Sequence, residues 1–177
     1  MQFIKTRDVK DPIRNPLENA GIDFFIPENT EEFRKDLEAK NPQMVIGNDM
    51  AHKVHFYPST GQIGIEPHGD IIIPSGIRSK FGPELALIAN NKSGVATKKK
   101  LIFGASVIDC AYQGEWHFHL INVGDQNVLI QCGEKIIQFI PHLISTEPVE
   151  VVDKTPEEFY TEKTSRGEGW QGSTGLK

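Results

Sequence analysis

An all-β fold follows from three features of the sequence. Apolar residues recur at every second position in many short runs, the 16 glycines and 11 prolines interrupt those runs at short intervals, and helix-start signals are confined to two places. Many short strands at such spacing pack as a sandwich or a barrel. The 177 residues suit one domain, and a hydrophobic share of 38% is ample for a single core.

In chain order, the first expected element is a helix. Asn29 is placed to cap it with Glu32 three residues on, Glu31 and Glu32 suit the positive N-terminal end, and Phe33 and Leu37 share a face before Pro42. Strands are expected over residues 54–57, 62–66, 70–73 and 85–89. The clearest strand spans residues 115–122, where Trp116, Phe118 and Leu120 face one side and His117, His119 and Ile121 the other. Further strands are expected over 128–131, 135–140 and 149–152, and a second helix start at Thr155-Pro156-Glu157-Glu158 combines a cap, a first-turn proline and an acid. Residues 1–165 are read as one β domain and 166–177 as a flexible polar arm.

Subtracting 24 acids from 19 bases leaves a net charge of -5, which excludes a bulk electrostatic grip on nucleic acid or an anionic membrane. No membrane partner and no direct nucleic-acid partner is expected, although a few local cations suffice to hold a polyanionic ligand. Cys110 and Cys132 are the only cysteines, too few for a disulfide framework or a four-thiolate zinc site, and a reducing, cytoplasmic setting fits them. The charged N-terminus lacks the apolar run of a signal peptide, and no stretch approaches the ~18 apolar residues of a membrane helix.

Three kinds of segment carry chemistry. The arm joins glycines, which let backbone approach a ligand, with Arg166, Ser173 and Thr174, donors of the type that wrap phosphate oxygens. Asn91-Lys92-Ser93-Gly94, followed by Lys98, Lys99 and Lys100, is a second phosphate-type segment that reads equally as a solvated turn with a basic run. Asp109 ends an apolar run beside Tyr112, where a carboxylate held next to a water serves as a general base, and Asp23 has a similar setting.

In order, Ala20-Gly21-Ile22-Asp23, Asn91-Lys92-Ser93-Gly94, Val107-Ile108-Asp109 with Tyr112-Gln113-Gly114-Glu115, Gly133-Glu134-Lys135-Ile136-Ile137-Gln138, and Arg166-Gly167 with Gly172-Ser173-Thr174-Gly175 resemble the five motifs of the trimeric dUTPases. The resemblance runs from Ala20 to Gly175 and is broken by an insertion over residues 28–61 that holds the first helix. It implies a β-jelly roll or distorted barrel with one or two short helices. It further implies a homotrimer with sites at subunit interfaces, and Mg2+-dependent hydrolysis of deoxyuridine triphosphate to dUMP and pyrophosphate. By resemblance, Asp109 activates the attacking water and Gln138 positions the phosphate and solvent. Lys92, Ser93 and Gly94 bind the phosphate chain, Tyr112 packs under the deoxyribose where a 2′-hydroxyl would clash, and Asp23 acts on the metal through water. Arg166, Trp170, Gln171, Ser173 and Thr174 belong to an arm that closes over the nucleotide.

The sequence also departs from the family pattern. Asn91-Lys92 stands where Pro-Arg is usual, exchanging a bidentate guanidinium for a point charge. Phe103 stands where an Asn often reads uracil, which leaves that reading to backbone groups of an expected hairpin from Phe103 to Tyr112. Trp170-Gln171 replaces Gly-Phe in the arm, with Trp170 the stacking candidate. Two other readings use the same fold. A dCTP deaminase needs a Glu where this chain has His119, and a non-catalytic nucleotide-binding or regulatory module would engage a partner through the insertion. His117 and His119 share a strand face and would need a third ligand to bind a metal, and Cys110 reads as a small filler.

Overall fold

The computed structural model describes residues 1–47, 49, 51–164 and 167. Among these, thirteen short strands form the first unit of the chain, Met1–Thr146: β1 (Gln2–Lys5), β2 (Ile22–Phe25), β3 (Met44–Ile46), β4 (Val54–Tyr57), β5 (Gln62–Ile65), β6 (Asp70–Pro74), β7 (Ile77–Lys80), β8 (Leu85–Asn90), β9 (Leu101–Phe103), β10 (Val107–Asp109), β11 (His117–Asn122), β12 (Val128–Gln131) and β13 (Lys135–Leu143). They pair as four open sheets, in the orders β1-β7, β10-β8-β13-β2, β6-β11-β9 and β12-β5-β4-β3. All pairings are antiparallel except β3 with β4. The fold is mostly β with no closed barrel.

Alternation along β11 places Trp116 and Phe118 in the core, where they pack with Phe3, Phe24 and Phe139. Phe24 and Phe139 meet edge-on with centroids 5.4 Å apart, and Phe3 meets Phe24 edge-on at 5.6 Å, so the centre is filled by aromatic pairs in favoured geometry. His117, His119 and Ile121 are half-buried on the other face, as the period of two predicts.

Helix α1 (Glu31–Lys40) forms where expected, but its cap is Thr30 rather than Asn29. Thr30 Oγ1 accepts from the Phe33 amide, while the Asn29 side chain is drawn to the Pro58 carbonyl and to Arg34. The helix buries Phe33 and Leu37 fully. At its end, buried Asn41 donates to the carbonyls of Leu37 and Ile72 and accepts from the Ile72 amide, which fastens the helix to β6. The segment 28–61 is therefore part of the core, since β4 also pairs along β5.

Several expectations are corrected. Residues 149–152 form no strand, and Val149 and Val151 are 94% and 93% exposed, so alternation there reflects no sheet face. Residues 103–112 are no hairpin, because β9 pairs with β11 and β10 with β8. Lys98 and Lys99 of the basic run close a π-helical turn, Val95–Lys99, and Lys100 caps it. A second unit, Glu147–Lys177, follows the first. Within it, α2 (Pro156–Phe159) has the expected start, with Thr155 and Glu158 exchanging hydrogen bonds in a capping box.

Candidate functional site

Three of the resembling segments meet on one chain. Asn90 of β8, Gln138 of β13 and Asp23 of β2 are direct register partners in a single row, and cross-strand partners point to the same face. Gln138 Nε2 donates to the Asn91 carbonyl at 3.1 Å, tying the strand that carries the glutamine to the phosphate-type segment. Gly21 is required for that approach: a Cβ there would lie 2.5 Å from Gln138 Oε1 and 3.0 Å from Gln138 Cβ.

Asp23 is 9% exposed and sits between two cations. Lys92 pairs with its Oδ1, and Lys135 Nζ lies 2.9 Å from its Oδ2. Burial alone would raise its pKa, but the hydrogen bonds and charges of Lys92 and Lys135 outweigh that and hold it below its ordinary value. Each of its oxygens is engaged by an ammonium group, Oδ1 by Lys92 and Oδ2 by Lys135. The shared carboxylate holds Lys92 and Lys135 beside the row. Lys135 carried no role in the sequence reading, although it lies inside the Gly133 to Gln138 segment; a strand-start lysine reads as solvated until its partner is known.

Ser93 and Gly94 follow on the exposed edge, with the Ser93 carbonyl accepting from Thr97 Oγ1 at 2.6 Å and no atom within 4 Å of a Cβ added at Gly94. Asn91 reaches back to Phe103, whose amide donates to Asn91 Oδ1 at 3.2 Å. The Phe103 ring packs against the core.

Asp109 stands apart from this row. It is exposed at the end of β10, opposite Ala86 on β8, whereas Gln138 is opposite Asn90. Four residues along β8 and two strand spacings separate them, on the order of 15 Å. The turn after Asp109 is closed by the Tyr112 amide donating to the Asp109 carbonyl at 3.1 Å. The half-exposed Tyr112 lies over Gly114, where a Cβ would meet its hydroxyl at 2.5 Å, and that hydroxyl donates to the Glu115 carbonyl at 2.9 Å. A cavity of about 560 Å³ opens beside the turn, with Arg78, Lys80, Cys110 and Gln113 on its wall.

The expected arm residues Arg166, Trp170, Gln171, Ser173 and Thr174 lie outside the described residues. His119 hydrogen-bonds Asp70 at 3.0 Å, and burial, followed by the charge of Lys40, lowers the His117 pKa; among the described residues they join no third metal ligand. The Cys132 thiol is pushed up to about 12, chiefly by burial, and so stays protonated. No helix among the described residues is long and apolar enough to cross a membrane.

The dUTPase family profile matches residues 58–175. A deoxyuridine 5′-triphosphate nucleotidohydrolase of Debaryomyces hansenii is 32% identical over 173 residues, covering 98% of this chain and 85% of its own length. The dUTPase of Staphylococcus bacteriophage 80alpha, solved with dUPNHPP, superposes with a TM-score of 0.70 at 18% identity, over 99% of this chain and 98% of that one. A mutant dUTPase from phage phi11 of S. aureus, solved with a structural Mg(II) ion, superposes with a TM-score of 0.63 at 16% identity, over 88% and 97% of the two chains. At such identities the two phage structures speak for the fold alone.

Proposed function

Because this chain belongs to the dUTPase family, we propose that it hydrolyses dUTP to dUMP and pyrophosphate. The observation that carries the reading is the division of the site: Asp23, Lys92, Gln138 and the Ser93-Gly94 edge meet on one chain, while Asp109 lies at another part of the same sheet with Tyr112 in the turn after it. One chain therefore supplies two half-sites, which a homotrimer would join across its interfaces.

In the joined site, Lys92 and Lys135, held by the one Asp23 carboxylate, leave a net positive charge for the triphosphate, and Ser93 with the amide of Gly94 holds the chain near the bridging oxygen. Gln138, immobilised by Asn91, orients the phosphate and solvent. Asp109 accepts a proton from a water whose oxygen bonds to the α-phosphorus as the bond to the bridging oxygen breaks, releasing pyrophosphate. Tyr112 lies under the deoxyribose and leaves no space for a 2′-hydroxyl. The arm carrying Arg166, Trp170, Gln171, Ser173 and Thr174 closes over the phosphates and excludes bulk water.

The Mg2+ requirement does not fit the protein's own side chains. Both Asp23 oxygens are engaged by lysines, and among the described residues no three of His, Cys, Asp and Glu gather as a metal site. A divalent cation bound by the oxygens of the triphosphate is part of the substrate.

Assayed against a panel of deoxynucleoside triphosphates with Mg2+, the protein is expected to release pyrophosphate from dUTP and no ammonia from dCTP. Ammonia release at a comparable rate would assign it to the deaminases instead, and release of neither product would favour a non-catalytic module.

A further inference from the structure

We propose that Arg7 is a positioning residue that fixes the sugar-reading Tyr112, and that helix α1 takes part in this control; the proposal rests on the reading of Tyr112 as the ring beneath the deoxyribose. Arg7 and α1 both precede the family match at residues 58–175. The side chain of Arg7 is 4% exposed, and its guanidinium forks onto Glu115, Nε to Oε1 at 2.9 Å and Nη2 to Oε2 at 2.7 Å. Nη2 also donates to Asp36 Oδ2 on α1 at 2.6 Å. Glu115 Oε1 accepts a further bond from the Gly76 amide at 2.6 Å. Gly76 holds φ at +73°, and a Cβ there would lie 2.6 Å from Arg7 Cγ, so the bend is fitted around the arginine stem.

Glu115 thus has its carboxylate clamped by three donors while its carbonyl accepts from the Tyr112 hydroxyl at 2.9 Å. Tyr112 is itself half exposed, and among the described residues no ring contact with the aromatic core pins it. What holds its hydroxyl is the main chain of the residue that Arg7 anchors. A lysine at this position keeps a positive charge but has no planar fork, and cannot reproduce the paired bonds to Glu115 together with the bond to Asp36. Freed from that clamp, Glu115 shifts, the tyrosine hydroxyl loses its fixed acceptor, and the ring no longer blocks a 2′-hydroxyl at a defined place. A displacement near 1 Å at a reacting or reading group costs up to about 10²-fold.

The test is the ratio of kcat/KM for dUTP to that for UTP, a quantity that general loss of stability lowers for neither substrate selectively. Wild type, Arg7→Lys, Asp36→Ala and Tyr112→Ala are compared, with thermal unfolding recorded for each. Arg7→Lys is expected to reduce the ratio about tenfold, and Asp36→Ala, which removes one half-exposed arm of the clamp, about twofold. Tyr112→Ala is expected to reduce it most. If Tyr112→Ala lowers the ratio and folded Arg7→Lys leaves it at the wild-type value, the positioning role is overturned while the sugar reading stands. If Tyr112→Ala leaves the ratio unchanged, the sugar reading fails and the proposal falls with it. Should Arg7→Lys not fold, Asp36→Ala decides, and a wild-type ratio in that variant overturns the proposal.

Discussion

Asp109→Asn is expected to lower turnover of dUTP by about 10² or more while nucleotide binding is largely retained. The substitution keeps the size of the side chain and removes the proton acceptor. Asp109 is exposed at the end of β10, its backbone is held by pairing with Ala86 and by the turn bond from the Tyr112 amide, and among the described residues its carboxylate joins no ion pair. The fold and the melting temperature should therefore be unchanged. Single-turnover kinetics separate the chemical step from binding, and near-normal turnover in this variant would remove Asp109 from the role of base.

At Asp23 the largest effect is expected on stability. Asp23→Asn leaves Lys92 and Lys135 without their shared carboxylate, at a cost of about 2 kcal/mol, below the usual figure for a fully buried pair because Lys135 is 40% exposed. The dependence on pH gives the sign. Lys92 and Lys135 outweigh burial and hold the Asp23 pKa below the ordinary 3.8, so its contribution is complete above 3.8 and is lost as pH falls through the lower native value. Urea unfolding should show a wild-type advantage over Asp23→Asn at neutral pH that narrows only under acid conditions below 3.8. An advantage that is absent at neutral pH, or that persists undiminished after full acid titration, would contradict the pairing.

The parts of the fold legible in the sequence were those where one side chain's environment repeats. From Trp116 into β11, Trp116, Phe118 and Leu120 are buried at every second position, and β12 buries Val128 and Ile130 in the same way. The three-residue strands β9 and β10 are too short to display a period, and they owe their pairing to β11 and β8. The α1 cap was misassigned by one position because Asn29 and Thr30 are both good caps; Pro58 and Arg34, which draw the asparagine away, lie elsewhere in the chain.

Asp23, Lys92 and Gln138 were legible as a set through ordered motifs, but the lysine clamp on Asp23 was not, since Lys92 and Lys135 are brought to it only by the β2–β13 pairing and the loop after β8. Arg7 and Glu115 are 108 residues apart, and neither has a local pattern that announces a buried fork. Sequence motifs locate the groups that touch substrate; the groups that hold them in place are found by tertiary contact.

The central claim is that each chain carries two separated half-sites that become one site only across chains. Two variants that disable opposite halves, Asp109→Asn and Gln138→Ala, provide the direct measurement when refolded together in equal amounts and assayed for pyrophosphate release from dUTP. Random assembly would give intact residues at both positions in about a quarter of the interfaces, so activity should recover toward about a quarter of wild type, far above either variant refolded alone. A mixture no more active than the two separate variants, although shown to have exchanged chains, would contradict the account.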